Sequence, residues 1–461
     1  MGEGRFDDAA RIYRELLKVR PNDAGLLMNL GMALAMDSRE ADALDPLLQA
    51  VKLSPGLIPA HLFLGSSYLA LGQPDQAIEP LKTVVAAQPR EVEHRRLLAQ
   101  AYAASGRSQE AVGVLQDLTA LAPKLPGAWF ALGHAYNALT QDALASFEDQ
   151  PEDSPWRKLL VADALLADGR LTDAFAVYRE TLLRLPHMVS IHDSVARIYE
   201  QTGHKEWAPI ERAKGKVAPS VCVKRKALCE FRARRFQAAL AAASTGSDPE
   251  SRYWQARSAT ELALASFRRL DELPDSRERR EVRATLARTE RRYKDAIAEL
   301  KVALKFAPHD PGLLDDLGTS YYFARDFDAA AATLGPLVEQ HPDDARLLAA
   351  YGDSLLQLQR LDDAVAVLRR AVERDPSGTM ARQALGRAYV LKGDFAAAIP
   401  LIESQLSQDS DGSLHIQLAR AYNGVGQREK AEATLKRAQD IQQAAQERAD
   451  AAAKRSITPP K

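Results

Sequence analysis

Leu30-Gly31, Leu64-Gly65, Leu98-Ala99 and Leu132-Gly133 succeed one another at a step of 34 residues, as do Pro21, Pro55, Pro89 and Pro123 and the alanines Ala9, Ala43, Ala77 and Ala111. A period of this length rules out one large globular core. Each period is a single supersecondary unit that buries its apolar face only against its neighbours, so the chain must be a stack. Within a unit, apolar residues recur at i, i+3, i+4 and i+7 over two stretches separated by Gly, Asp or Gln turns, which predicts a helical hairpin. In the unit from Gly25 to Pro55, Leu27, Leu30, Gly31 and Leu34 form one stripe and Ala43, Leu47 and Ala50 the facing one. Small residues at Gly31 and Ala43 let two helix axes approach, and the proline ends the second helix.

The order of these residues resembles the tetratricopeptide repeat (TPR) family: a large residue, Leu-Gly and Tyr in the first helix, then Ala, an aromatic and Pro in the second. Trp129, Leu132, Gly133 and Tyr136 carry the first-helix pattern and Ala9, Tyr13 and Pro21 the second. The pattern returns at Leu317-Gly318-Tyr321 with Ala330 and Pro342, at Gly352 with Ala364 and Pro376, at Leu385-Gly386-Tyr389 with Ala398, and at Leu418-Ala419-Tyr422 with Ala431. The resemblance implies an all-α, right-handed superhelical solenoid of antiparallel helix pairs, about thirteen hairpins long. It looks like the large bacterial members of the family used in envelope or secretion assemblies.

Four segments are expected: a regular arm over 1–136 that begins with a half repeat, divergent hairpins forming a bend over 137–276, a second regular arm over 277–440, and a polar capping helix with a disordered tail over 441–461. Prolines crowd the divergent region. There the pentapeptide Ala143-Leu144-Ala145-Ser146-Phe147 reappears as Ala263-Leu264-Ala265-Ser266-Phe267, which reads as two copies of one variant unit that has lost its inter-helix turn and runs as a long or kinked helix.

A stack of this kind offers a long surface instead of an enclosed cleft, and the family resemblance implies that the first helices line a concave groove for a peptide or partner helix. The groove-facing stripe of the first arm is Met28, Met32, Leu62, Ser66 and Leu69, followed by Arg96, Gln100, Phe130, His134 and Asn137. Its apolar end fits an apolar peptide or amphipathic helix, with self-association as the other way to cover it. The second arm presents Asp315, Tyr322, Asp353, Arg387, Arg420 and Asn423, a polar face suited to a different ligand. The family's carboxylate clamp for chaperone tails is not matched, because Pro59 and Phe63 stand where its basic pair belongs.

No catalytic or cofactor chemistry is expected. Paired acids such as Asp7-Asp8 and Asp362-Asp363 recur in register at the start of second helices, where they complement the helix dipole. Nine histidines are scattered without metal-ligand spacing, and no phosphate-cradling loop or nucleophile elbow occurs. Charge nearly cancels, 61 basic against 62 acidic residues, so nucleic acid is an unlikely partner overall. The exception is 212–235, with nine Lys or Arg against Glu230, which reads as a solvated basic face because no RNA-binding motif accompanies it. No run of 18 or more apolar residues exists to form a transmembrane helix.

The N-terminus lacks a secretory signal and reads as cytoplasmic. Because Ala9, Tyr13 and Pro21 form a second helix without its first, a lost upstream signal peptide would instead place the chain in the periplasm. Cys222 and Cys229 bear on the same question. On one helix they stand about 10 Å apart along the axis, too far for a disulfide, whose Cα atoms lie within roughly 7 Å. If Cys222 lies in an extended segment after Pro219, a bridge is reachable and export follows. The sequence therefore predicts a noncatalytic protein-binding scaffold; the alternative is a sensor or regulatory module whose effector lies on another chain or upstream.

Overall fold

The computed structural model describes residues 5–186, 188–216, 219–453 and 456–460. Among them it contains twenty-six α-helices, one short 3-10 turn and no strand. The first eight are α1 (Phe6–Val19), α2 (Ala24–Met36), α3 (Glu40–Leu53), α4 (Ile58–Ala70), α5 (Pro74–Ala87), α6 (Val92–Ala104), α7 (Ser108–Leu121) and α8 (Pro126–Ala145). The middle of the chain forms α9 (Pro155–Ala167), α10 (Leu171–Arg184), α11 (Ser190–Gln201), α12 (Ala208–Lys214), α13 (Pro219–Lys224), α14 (Lys226–Arg232), α15 (Phe236–Ala243) and α16 (Pro249–Asp271). The remainder forms α17 (Arg277–Thr289), α18 (Tyr293–Phe306), α19 (Pro311–Phe323), α20 (Phe327–Gln340), α21 (Ala345–Gln357), α22 (Leu361–Arg374), α23 (Thr379–Lys392), α24 (Phe395–Glu403), α25 (Ser413–Gly424) and α26 (Arg428–Ala453). Two compact units result, one of Met1–Val161, Thr181–Arg197 and Ala208–Pro274, the other of Ala162–Glu180, Ile198–Trp207 and Asp275–Lys461.

Both units are built from consecutive helices packed in pairs, and the 34-residue step sets how they pack. A Cβ placed on Gly31 would lie 2.4 Å from Leu47, one on Gly65 2.6 Å from Leu81, one on Gly318 2.5 Å from Leu334 and one on Gly352 2.7 Å from Leu368. Each glycine is thus the socket for a leucine of the next helix. Leu47, Leu81, Leu334 and Leu368 are fully buried, and each such side chain contributes about 2 kcal/mol of apolar burial. A second ladder closes the turns. His61 Nε2 stands 2.9 Å from the carbonyl of Pro55, Trp129 Nε1 donates to that of Pro123 at 2.8 Å, and Arg95 donates to that of Pro89. The first-helix position that carries Trp129 therefore satisfies an orphan carbonyl behind the preceding helix.

The ladder is interrupted at Gly133, and the interruption explains the irregular middle. The glycine's socket is filled not by a residue of the next helix but by Phe267 of α16, whose Cε1 would lie 2.4 Å from a Cβ at Gly133. Thr140 Oγ1 meets Thr260 Oγ1 at 3.4 Å, so α8 and α16 run antiparallel. Tyr136 of α8 accepts hydrogen bonds from Gln116 (2.7 Å) and Gln237 (3.1 Å), tying α7 and α15 to the same place. One repeat is thereby completed across an excursion of the chain from 146 to 248. The repeated pentapeptide marks the two ends of this pair: Ala143 and Ala263 are both buried, one on each helix. The first copy closes the 20-residue α8 and runs on into the turn at Ser146-Phe147, whereas the second lies inside the 23-residue α16, and the two helices are partners across one repeat.

Two expected boundaries need correction. The division at 136/137 falls inside α8, and that at 440/441 inside α26, because neither carries a turn residue. The tail is not free either: Tyr199 of α11 donates its hydroxyl to the carbonyl of Thr458 at 2.8 Å. Cys222 and Cys229 sit on separate short helices, α13 and α14, broken at Arg225. The break brings their Cα atoms to 5.6 Å and bonds their sulfurs.

Candidate functional site

First helices lie side by side in both units, α2 beside α4 and α4 beside α6, then α19 beside α21, α21 beside α23 and α23 beside α25. This adjacency gives each unit a continuous face of first-helix side chains.

In the first unit that face is apolar at its start. Met28, Met32, Leu62, Ser66 and Leu69 are all half-buried. Met28, Leu62 and Leu69 rest on the core with one side and leave the other open. Arg96 and Gln100 on α6 are exposed and bonded to each other at 3.3 Å, and Arg96 is also paired with Glu93 at 2.6 Å. On α8, Phe130 and His134 are in ring contact at 4.3 Å, and His134 also meets Phe267 edge-on at 5.5 Å. Desolvation between these rings holds the His134 imidazole below its ordinary pKa, which favours the neutral ring there. Asn137 is exposed one turn on.

The second unit's face is polar, and its charges are largely spent on one another. Arg346 bonds Asp315 (3.1 Å), which also accepts from Thr319 (3.2 Å). Tyr322 donates to Asp353 at 2.6 Å and Arg387 pairs with the same carboxylate. Asp353 is only 4% exposed, its carboxylate taken up by Tyr322 and Arg387. The reason is the stacking itself, because the residue one repeat later reaches back over it. Burial, the bond to Asp353 and its negative charge together raise the Tyr322 phenol well above the ordinary tyrosine range. Arg420 and Asn423 are exposed.

Tyr322, Asp353, Gln383 and Arg387 line one open groove of about 650 Å³, to which the loop before α25 also contributes. Asp315, Arg420 and Asn423 are not among its lining residues. That loop, with Asp409 and Asp411, was not anticipated from the sequence; its one signal is the Asp-Ser-Asp-Gly run before a repeat of irregular spacing. Asp409 accepts from the His415 backbone N–H (3.0 Å) and stands 2.6 Å from its Nδ1. Burial alone would raise the Asp409 carboxyl, but these bonds outweigh it and depress its pKa. A depressed acid stabilises the fold above its ordinary value of 3.8 and loses that contribution as pH falls through the folded-state value. Stability should therefore drop more steeply below about pH 4 in the parent than in Asp409→Asn, measured as melting temperature across an acid series; parallel curves would contradict it.

Among the described residues no group of three or more His, Cys, Asp or Glu could hold a metal ion, and no helix is long and apolar enough to cross a membrane. The basic stretch is less open than its composition implies. Lys214 pairs with Glu211 (3.1 Å), Arg232 with Asp193 (3.2 Å), Arg225 with Glu250 and Arg235 with Glu230.

Stacked hairpins presenting a face of first-helix side chains define a repeat scaffold of the protein-interaction class. Sequence profiles of the tetratricopeptide repeat match residues 1–58, 64–126, 316–379, 352–413 and 413–444, together more than half of the chain. The chain belongs to the tetratricopeptide-repeat family, whose fold is in general a noncatalytic scaffold for binding other proteins. No curated protein matches it. Among solved structures it is similar to MamA from Desulfovibrio magneticus (26% identity over 29% of this chain and 75% of that one, TM-score 0.28). It is also similar to a thermophilic TPR protein of Thermus thermophilus (20%, 38% and 98%, 0.31) and to yeast Tom70 (15%, 93% and 95%, 0.33).

Proposed function

We propose that this chain is a noncatalytic scaffold that binds an apolar peptide or amphipathic partner helix along α2, α4, α6 and α8. The observation that carries this reading is the row of half-buried Met28, Met32, Leu62 and Leu69 on adjacent first helices. Such side chains gain most from being covered, and methionine adapts to the shape that covers it. The polar groove around Tyr322, Gln383 and Arg387 serves a second ligand, so that one chain joins two. Met28→Glu with Leu62→Glu should abolish capture of the partner from lysate while circular dichroism and melting stay near the parent's. Undiminished capture would move the site elsewhere.

Assignment to a bacterial envelope or secretion assembly is supported by the cysteine pair, whose 5.6 Å Cα separation suits a bridge. Intact mass after alkylation without reductant should show no thiol modified in protein recovered from its native compartment. Two modified thiols would argue for a reducing compartment.

A further inference from the structure

The Ser456–Pro460 segment lies far along the chain from the residue it touches, Tyr199, 259 residues earlier. Its conformation is written into its sequence. A residue before proline is driven to extended or polyproline-II backbone, and both Thr458 and Pro459 precede a proline. A polyproline-II strand has three residues per turn, so positions i and i+3 share an edge. The burial follows that period: Ile457 and Pro460 are half-buried, whereas Ser456, Thr458 and Pro459 are exposed.

The residue that meets this segment, Tyr199, belongs to an aromatic cluster. Tyr199 is fully buried; its ring lies 5.7 Å from Phe175 and meets Trp207 edge-on at 5.5 Å, and His204 stacks on Trp207 at 4.1 Å. Its hydroxyl donates to the carbonyl just ahead of the two prolines. Aromatic rings with a buried donor aimed at a backbone carbonyl are the general means of holding a polyproline-II peptide, which needs little ordering because it is already extended. The structural elements involved, α10, α11 and the segment after α26, are distinct from the first-helix face proposed above.

We propose that the site around Phe175, Tyr199 and Trp207 reads a polyproline-II peptide of Ile-Thr-Pro-Pro chemistry, and that the chain's own Ile457–Pro460 fills it in cis. A tethered ligand acts at an effective concentration near millimolar. It therefore excludes a free peptide of the same sequence until displaced.

The test uses the full chain and a fluorescein-labelled Ser-Ile-Thr-Pro-Pro peptide followed by anisotropy. Ile457→Asp with Pro460→Asp should expel the segment without touching a helix, and the peptide should then bind this variant at least about tenfold more tightly than the parent. Adding Tyr199→Phe should weaken that binding about two- to tenfold, the value of one hydrogen bond, and a Ser-Ile-Thr-Ala-Ala peptide should bind poorly. Equal binding to parent and variant would show the segment does not occupy the site. Binding to neither would show the site does not read this peptide. A parent that sediments as a dimer and a variant that sediments as a monomer would assign the occupant to a second copy. Each of the three outcomes overturns the proposal and leaves the first-helix face unaffected.

Discussion

Gly133→Leu is expected to cost about 3 kcal/mol of stability, at the upper end of what overpacking a helix crossing costs. A single Cβ there would already approach the Phe267 ring to 2.4, 2.6 and 2.8 Å at three carbons. Neither helix can easily withdraw. Tyr136 of α8 is pinned by Gln116 and Gln237, and Thr140, one turn on along the same face, meets Thr260. The informative control is the double variant with Phe267→Ala. Alone, Phe267→Ala should also destabilise, by leaving a cavity; combined with Gly133→Leu it should recover more than 1 kcal/mol of the loss, because leucine fills the space the ring vacates. Denaturant midpoints at constant slope measure both. Additive losses would mean that Phe267 is not the residue seated on Gly133.

Asp353→Ala is expected to cost about 2 kcal/mol. Breaking a fully buried pair by removing one partner costs 3–5 kcal/mol, but Arg387 is 40% exposed and water can reach it once the carboxylate is gone. Tyr322 loses its acceptor at the same time. The phenol gives a second, independent readout. With Asp353 gone, two of the three influences raising its pKa vanish, so phenolate formation followed by ultraviolet absorbance should move down toward the ordinary tyrosine value of 10.0. An unchanged phenol titration would show that Asp353 does not face Tyr322 in solution.

The fold was legible wherever the partner of a residue lies within the same repeat. Gly31 and Leu47, or Gly318 and Leu334, stand close in the chain, and a fixed period carries their contact from one unit to the next. The pairing of α8 with α16 is not local, and no periodicity spans it; the sole trace is the pentapeptide at 143–147 and 263–267, which marks both helices as alike without saying that they meet. The candidate site was legible in position but not in state. Helical spacing assigns Asp353 to the first-helix face, yet its burial depends on Arg387 one repeat later, which no helical wheel of α21 contains. Two prolines near the end of a polar helix read as disorder because the receiving rings of Tyr199 and Trp207 belong to a distant stretch.

Completing one hairpin across an excursion changes how this protein is made. A ribosome that has just released α8, which ends at Ala145, must add about 120 more residues before Phe267 emerges, which at 5–20 residues per second takes roughly 10 s. Through that interval the nascent chain carries a finished stack ending in an uncovered helix face. A growing array of ordinary repeats would expose such a face only for the few seconds needed to add the next helix, so this protein's demand for holding chaperones should peak at that one point of its synthesis.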